Sequence, residues 1–172
     1  MSTCLSIVHV VDSLEVGGLE RVTVDLAKAQ LAAGHKVCVF SINTTGGLKP
    51  ELVAAGIDVI EGHKSGSLDL QVLARLRALL RERRADVVHA HNFVPNYYAA
   101  FAKLGLWRCP AQVCTLHDMG MRLVNRQLRW LFKWSLTQTK QVAMVGRQVY
   151  GRYLETGMVA ANRSRTVLNG IP

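Results

Sequence analysis

Hydrophobic positions along this chain fall into two alternating rhythms. Short runs that are apolar at nearly every position (LSIVHVV, KVCVFSI, IDVIEG, DVVHAH, AQVCTLH, QVAMV and RTVLNG) alternate with longer segments whose apolar residues return every three or four positions. The short runs are rich in β-branched residues and lack polar alternation. They therefore predict parallel strands covered on both faces. After the pair Gly17-Gly18, Leu19, Val22 and Leu26 repeat at helical spacing, and Gly34 stands where a C-terminal glycine ends a helix. Val72, Leu73, Leu76, Leu79 and Leu80 form one helical face, with Arg75, Arg77, Arg81 and Arg84 off it. A repeating β-α order predicts an α/β fold: a Rossmann-like, doubly wound parallel sheet of about seven strands with right-handed crossovers. Neither an internal repeat nor a low-complexity linker divides the chain, so residues 1–172 are expected to form a single domain. The sequence stops at NGIP, immediately after the last strand-like run.

Composition narrows the class. With 172 residues, 49% of them hydrophobic, and a mean hydropathy of +0.15, the chain can build a core. It holds no apolar run near the ~20 residues of a membrane-spanning helix. The N-terminus lacks the basic start of a secretory signal, and Asp12 interrupts its apolar part, which points to a cytoplasmic protein. Cys4, Cys38, Cys109 and Cys114 form no CxxC pair and are expected to be reduced. Lys and Arg number 21 against 12 for Asp and Glu, a net charge of +9 that favours anionic partners.

In an open parallel sheet, ligands collect beyond the C-terminal ends of the strands. The polar residues there are Asp12 and Ser13, then Gly17 and Gly18, then His91 and Asn92, His117 and Asp118, and finally Asn169 and Gly170. Glycines at a helix start allow close backbone approach, and the free N–H groups there attract phosphate. The same pair also serves as a plain turn. The stretch is not GxGxxG, which argues against a dinucleotide-dependent dehydrogenase. His89 and His91 of HAH share one side of an extended segment and with His117 could form a three-histidine zinc site. The alternative has His89 as a satisfied strand histidine, with His91 and His117 lining the cleft. His117 is the foremost candidate for a polar active-site role.

The segment MRLVNRQLRWLFKWSLTQTK gives a basic stripe when projected as a helix. Arg122, Arg126, Arg129, Lys133 and Lys140 fall within roughly 60°. Val124, Leu128, Leu131 and Ser135 lie opposite, toward the core, and Trp130 and Trp134 flank the cations. A solvated basic face is one reading. Interfacial docking on an anionic membrane is the other, with Trp at headgroup depth. No RNA-binding motif accompanies the charge, so nucleic acid is not an expected partner.

VGGLERVTVDLAKAQLAAGHKVCVF, DVVHAHN, TLHD and VLNGIP, taken in order, resemble the N-terminal half of a glycosyltransferase family 4 enzyme of GT-B fold. The resemblance implies two Rossmann-like domains facing across a cleft. The N-terminal one mainly holds the acceptor, and the other, absent from this chain, holds the nucleotide-sugar. It implies retaining transfer to a glycan or lipid-linked acceptor, as in bacterial cell-envelope polysaccharide or glycolipid synthesis, without a metal or other cofactor. Carried over residue by residue, Gly17 and Gly18 approach the donor diphosphate or nearby acceptor groups. His117 sits against the transferred sugar as the catalytic histidine, while His91, Asn92 and Asp118 border the acceptor pocket. Asn169 and Gly170 mark the interdomain crossing. Arg122, Arg126, Arg129, Trp130, Lys133 and Trp134 would form a peripheral membrane face. Where the family often has a serine, this chain has Gly146. The donor carboxylate and phosphate clamp have no counterpart here, so the chain alone is expected to be inactive. An epimerase on the same fold, or a non-enzymatic module that binds membranes or polyanions, are the other functions to weigh.

Overall fold

The computed structural model describes residues 3–66, 68–117, 126–155, 157 and 159–167. Seven strands form one wholly parallel sheet: β1 (Ser6–Val11), β2 (Lys36–Ser41), β3 (Asp58–Glu61), β4 (Val87–His91), β5 (Ala111–Leu116), β6 (Gln141–Val145) and β7 (Ser164–Val167). Their spatial order is β3-β2-β1-β4-β5-β6-β7. The chain winds outward from β1 to β3, returns to the centre, and winds the other way from β4. The direction reverses between β1 and β4, and a doubly wound sheet opens its ligand crevice at such a point. The expected α/β fold is the one found.

Among the described residues, six α-helices cross between the strands: α1 (Gly18–Ala32), α2 (Lys49–Ala54), α3 (Leu70–Glu82), α4 (Phe93–Lys103), α5 (Arg126–Thr137) and α6 (Arg147–Glu155). The glycine expected to end α1 does so, since Gly34 has φ +88. α3 starts at Asp69, whose carboxylate accepts from the N–H groups of Gln71 and Val72. Its face of Val72, Leu76, Leu79 and Leu80 is buried, and Leu73 packs partly against the same core.

Successive strand residues point to opposite faces. Val8, Val10, Val88 and Ala90 pack with α3 and α4, whereas Val11 and Val39 pack with Val24 and Ala27 of α1 and Leu52 of α2. Cys38 and Cys114 fill core positions, and burial raises both thiol pKa values, that of Cys38 to about 11. All four cysteines are free, but Cys4 and Cys109 are exposed rather than packed.

Candidate functional site at the C-terminal edge

β1, β4 and β5 are neighbours, so the residues that follow them come together. β1 runs into Asp12 and a loop pinned by Leu14, which is fully buried and whose C=O accepts from the Leu48 N–H. This loop rests on two glycines that sequence reading passed over. A β-carbon at Gly46 would lie 2.7 Å from the Glu15 carboxylate, and one at Gly47 would lie 2.8 Å from Val16. Gly17 is the N-cap of α1 in an extended conformation and offers no side-chain cap. The Glu20 carboxylate lies over it, where a negative charge suits the helix end. A β-carbon at Gly18 would meet nothing within 4 Å, so nothing described in this domain demands glycine there.

Asn92, directly after β4, carries unusual backbone strain. Its φ of 68 and ψ of −168 fall in a region that is essentially glycine's alone and costs about 1–3 kcal/mol for other residues. Three N–H···O bonds hold it there: its N–H donates to the Thr115 C=O, its C=O accepts from the Asn96 N–H, and its Oδ1 accepts from the His117 N–H at 2.8 Å. An asparagine before a helix ordinarily caps it. Here the side chain is spent on His117, and α4 begins without a side-chain cap.

Behind this edge lies a stack of buried histidines. His9 and His89 are directly paired across β1 and β4, and His91 follows two residues on, on the same face. His9 Nε2 is 2.7 Å from Gln30 Oε1 of α1, His9 Nδ1 is 3.0 Å from His91 Nε2, and His89 Nε2 is 2.7 Å from Thr115 Oγ1. Two ring nitrogens, His91 Nδ1 and His117 Nε2, are buried with no partner among the described residues. Burial lowers the pKa of all four rings, that of His9 to about 4 against a smaller upward pull from Gln30. The rings are therefore neutral at physiological pH.

The zinc alternative named His89, His91 and His117. Among the described residues, the trio whose nitrogens come within 4.8 Å of one another is instead His9, His89 and His91. As packed, this trio does not fit a metal. The His89 and His91 rings stack at 4.3 Å with planes 23° apart, and an ion must lie in the plane of each imidazole that binds it. His9, in the middle of an otherwise apolar strand, and Gln30 were both missed. A histidine inside LSIVHVV was the available signal.

Gly146, at the end of β6, adopts φ +91. The backbone there favours glycine.

On α5, Arg126, Arg129 and Lys133 are exposed, and so is Trp130, at 69% of its surface. Trp134 is placed differently. It is half-buried and stacks on Phe101 of α4, with ring centroids 4.6 Å apart. The core side of α5 is formed by Phe132, Ser135 and Leu136, with Leu128 and Leu131 only partly covered. Asp118, Arg122, Asn169 and Gly170 lie outside the described residues, as does Val124.

The family model for Glycosyltransferase Family 4 matches residues 16–172. This chain belongs to glycosyltransferase family 4. The solved structures it resembles agree on the fold. A glycosyltransferase from Rickettsia africae superposes with a TM-score of 0.75 at 21% identity, over 99% of this chain and 44% of that one. The Anabaena protein HepE, solved with UDP, gives 0.80 at 18% identity over 97% and 44%. A UDP-N-acetylglucosamine 2-epimerase from Listeria monocytogenes gives 0.63 at 12% identity over 94% and 44%. The fold alone thus admits both transferases and epimerases, and the family match separates them. The domain has the Rossmann-like architecture of one half of a GT-B glycosyltransferase, and it spans less than half the length of these relatives. Comparison with curated protein sequences gives no match. No helix among the described residues is long and apolar enough to cross a membrane.

Proposed function

We propose that this chain is the acceptor-side domain of a retaining glycosyltransferase, moving a sugar from a nucleotide-sugar to a glycan or lipid-linked acceptor in the synthesis of bacterial cell-envelope polysaccharide or glycolipid. The observation that carries this reading is the meeting of His91, Asn92 and His117 at the switch point of the sheet, with two buried ring nitrogens left open. Retaining transfer passes through an oxocarbenium-like state while a nucleotide diphosphate leaves. It requires close positioning of the acceptor hydroxyl and stabilisation of developing charge. In this reading His117 is the catalytic histidine beside the transferred sugar, and His91, Asn92 and Asp118 border the acceptor. The uncapped start of α1 at Gly17 and Gly18 faces the diphosphate, with the flexible Glu20 carboxylate swinging aside as the anion enters.

A second domain would hold the nucleotide-sugar, reached through Asn169 and Gly170, and no metal takes part. The 172-residue chain by itself would then be inactive. The test is the intact mass of the protein from its natural source. A mass roughly twice this chain's 19.0 kDa is expected, since the chain covers 44% of its structural relatives. A mass of 19.0 kDa, or sugar transfer catalysed by the purified chain, would refute the two-domain reading.

A second role is favoured by exposed Trp130 beside Arg126, Arg129 and Lys133: peripheral docking on an anionic membrane. Trp134 is committed to Phe101 and would contribute through packing. Co-sedimentation with phosphatidylglycerol vesicles should fall when Arg126, Arg129 and Lys133 are changed to Glu. Unchanged binding would remove this role.

A further inference from the structure

The contacts from Gln30 through His9 to His91 form a directed chain. The His9 and His91 centroids are 5.3 Å apart with planes 26° from parallel. That separation is close to their 3.0 Å N···N contact plus two ring radii, so the rings meet head to tail. An amide oxygen can only accept, so His9 Nε2 facing Gln30 Oε1 carries the proton. A neutral imidazole has one N–H, which leaves His9 Nδ1 as an acceptor. His91 must then donate from Nε2, and its own Nδ1 is left with a lone pair. This nitrogen is buried and has no partner among the described residues.

We propose that Gln30 and His9 are positioning residues that hold His91 in its Nε2–H tautomer, making His91 Nδ1 a lone-pair acceptor for a ligand hydroxyl at the C-terminal edge of β4. Three further observations bear on the ligand. Burial keeps the rings neutral, so His91 offers a lone pair rather than a charge. His117, with its centroid 6.1 Å from that of His91, brings the second unpartnered nitrogen to the same corner. His89 is excluded because Thr115 already satisfies its Nε2. A hydroxyl can give its proton to His91 Nδ1 and accept one from His117 Nε2, satisfying both nitrogens at once. A phosphate diester, fully ionised at neutral pH, has no proton to give and would set its own lone pairs against that of His91. The site therefore suits a sugar or polyol hydroxyl and disfavours a phosphate diester. The identity of the ligand rests on the acceptor-side reading, whereas the tautomer does not.

The experiment is long-range ¹H–¹⁵N spectroscopy of the ¹⁵N-histidine-labelled chain at neutral pH, with single His→Gln substitutions for assignment. His9 and His91 are expected to carry their protons on Nε2, with His91 Nδ1 at the bare imine position. Gln30→Glu, whose carboxylate only accepts, should preserve this order. Gln30→Lys, whose ammonium only donates, should reverse it and move the His91 proton to Nδ1. A native His91 protonated on Nδ1, or a His91 tautomer indifferent to Gln30→Lys, would overturn the relay and leave the transferase reading standing. Should Gln30→Lys fail to fold, the native and Gln30→Glu spectra still decide. With glucose and dimethyl phosphate as probes, glucose at high concentration should move the His91 Nδ1 resonance upfield and dimethyl phosphate should not. A response to dimethyl phosphate, or none to glucose, would overturn the hydroxyl assignment even with the tautomers as expected.

Discussion

Two buried polar clusters lie on opposite faces of the same sheet, and they are finished differently. Between α4 and α5, Asn96 Nδ2 donates to Ser135 Oγ, and Asn96 Oδ1 accepts from Gln112 Nε2 and Thr139 Oγ1. Gln112 Nε2 also donates to the Asn96 C=O and Ser135 Oγ to the Phe132 C=O, while the Thr139 hydroxyl shares its one proton between Asn96 Oδ1 and the Ser135 C=O. Every polar side-chain atom of this group has a partner except Gln112 Oε1. On the other face, the chain from Gln30 through His9 to His91 ends in an open nitrogen at the sheet edge, beside a second one on His117. Both clusters cost desolvation, and the first leaves one atom unmet in the interior whereas the second leaves its unmet nitrogens at the sheet edge. A polar network that closes on itself ties helices to strands. One that stops at a crevice with its last atom unmet is built to be completed by a ligand. The strained backbone of Asn92 sits on the open side, and none of the positive-φ residues falls within the closed network.

The largest expected effect of a single substitution is on the closed cluster. Asn96→Ala removes three hydrogen bonds and leaves a small cavity, and should lower unfolding stability by about 3 kcal/mol in urea titrations. A loss below about 1 kcal/mol would mean that the network is not structural.

The open cluster should show itself through acid. His9 has a pKa of about 4 in the folded chain against about 6.5 unfolded, so the unfolded state binds more protons between those values. Stability is therefore complete above about pH 6.5 and declines as pH falls toward 4. The His9 share of the loss is about 3 kcal/mol, and His89 and His91 add in the same direction. Urea midpoints measured across this range should fall, and His9→Gln should flatten the decline. A flat native profile would contradict neutral burial.

Next is catalysis. In the proposed two-domain transferase, His117→Ala should reduce kcat by roughly a hundredfold or more while leaving thermal stability nearly unchanged. Equal losses in both would assign the residue to packing.

The smallest effect is also the most specific. Replacing glycine by alanine commonly stabilises a protein, through the unfolded chain. At residue 92 the order should invert, with Asn92→Gly more stable than Asn92→Ala by about 1–2 kcal/mol, because only glycine accepts this backbone without strain. Both variants lose the bond to the His117 N–H, so their difference isolates the strain.

Much of the fold was legible because burial imposes its pattern on sequence. Strands covered on both faces must be apolar throughout, and the seven runs correspond to the seven strands, but of the edge strands β3 is only partly covered and β7 is largely exposed. The helix of α5 was legible, but its rotation was not. A helical wheel placed Trp134 beside the cations, yet aromatic packing on Phe101, distant in sequence, turned it inward. His91, Asn92 and His117 could be named because strand ends are where ligands gather, a rule that needs only strand boundaries.

What the sequence alone determined is whatever depends on neighbours a few residues apart: strand against helix, the parallel α/β class, the stop at Gly34, and the motifs that place the chain in its family. Tertiary structure decided what depends on residues far apart in the chain. Gln30 reaches His9 across 21 positions and His9 reaches His91 across 82, so the polarity of the His91 ring is set by an amide on another element. A hydrogen bond fixes which nitrogen bears a proton only once both partners are in place, and no local pattern records that arrangement.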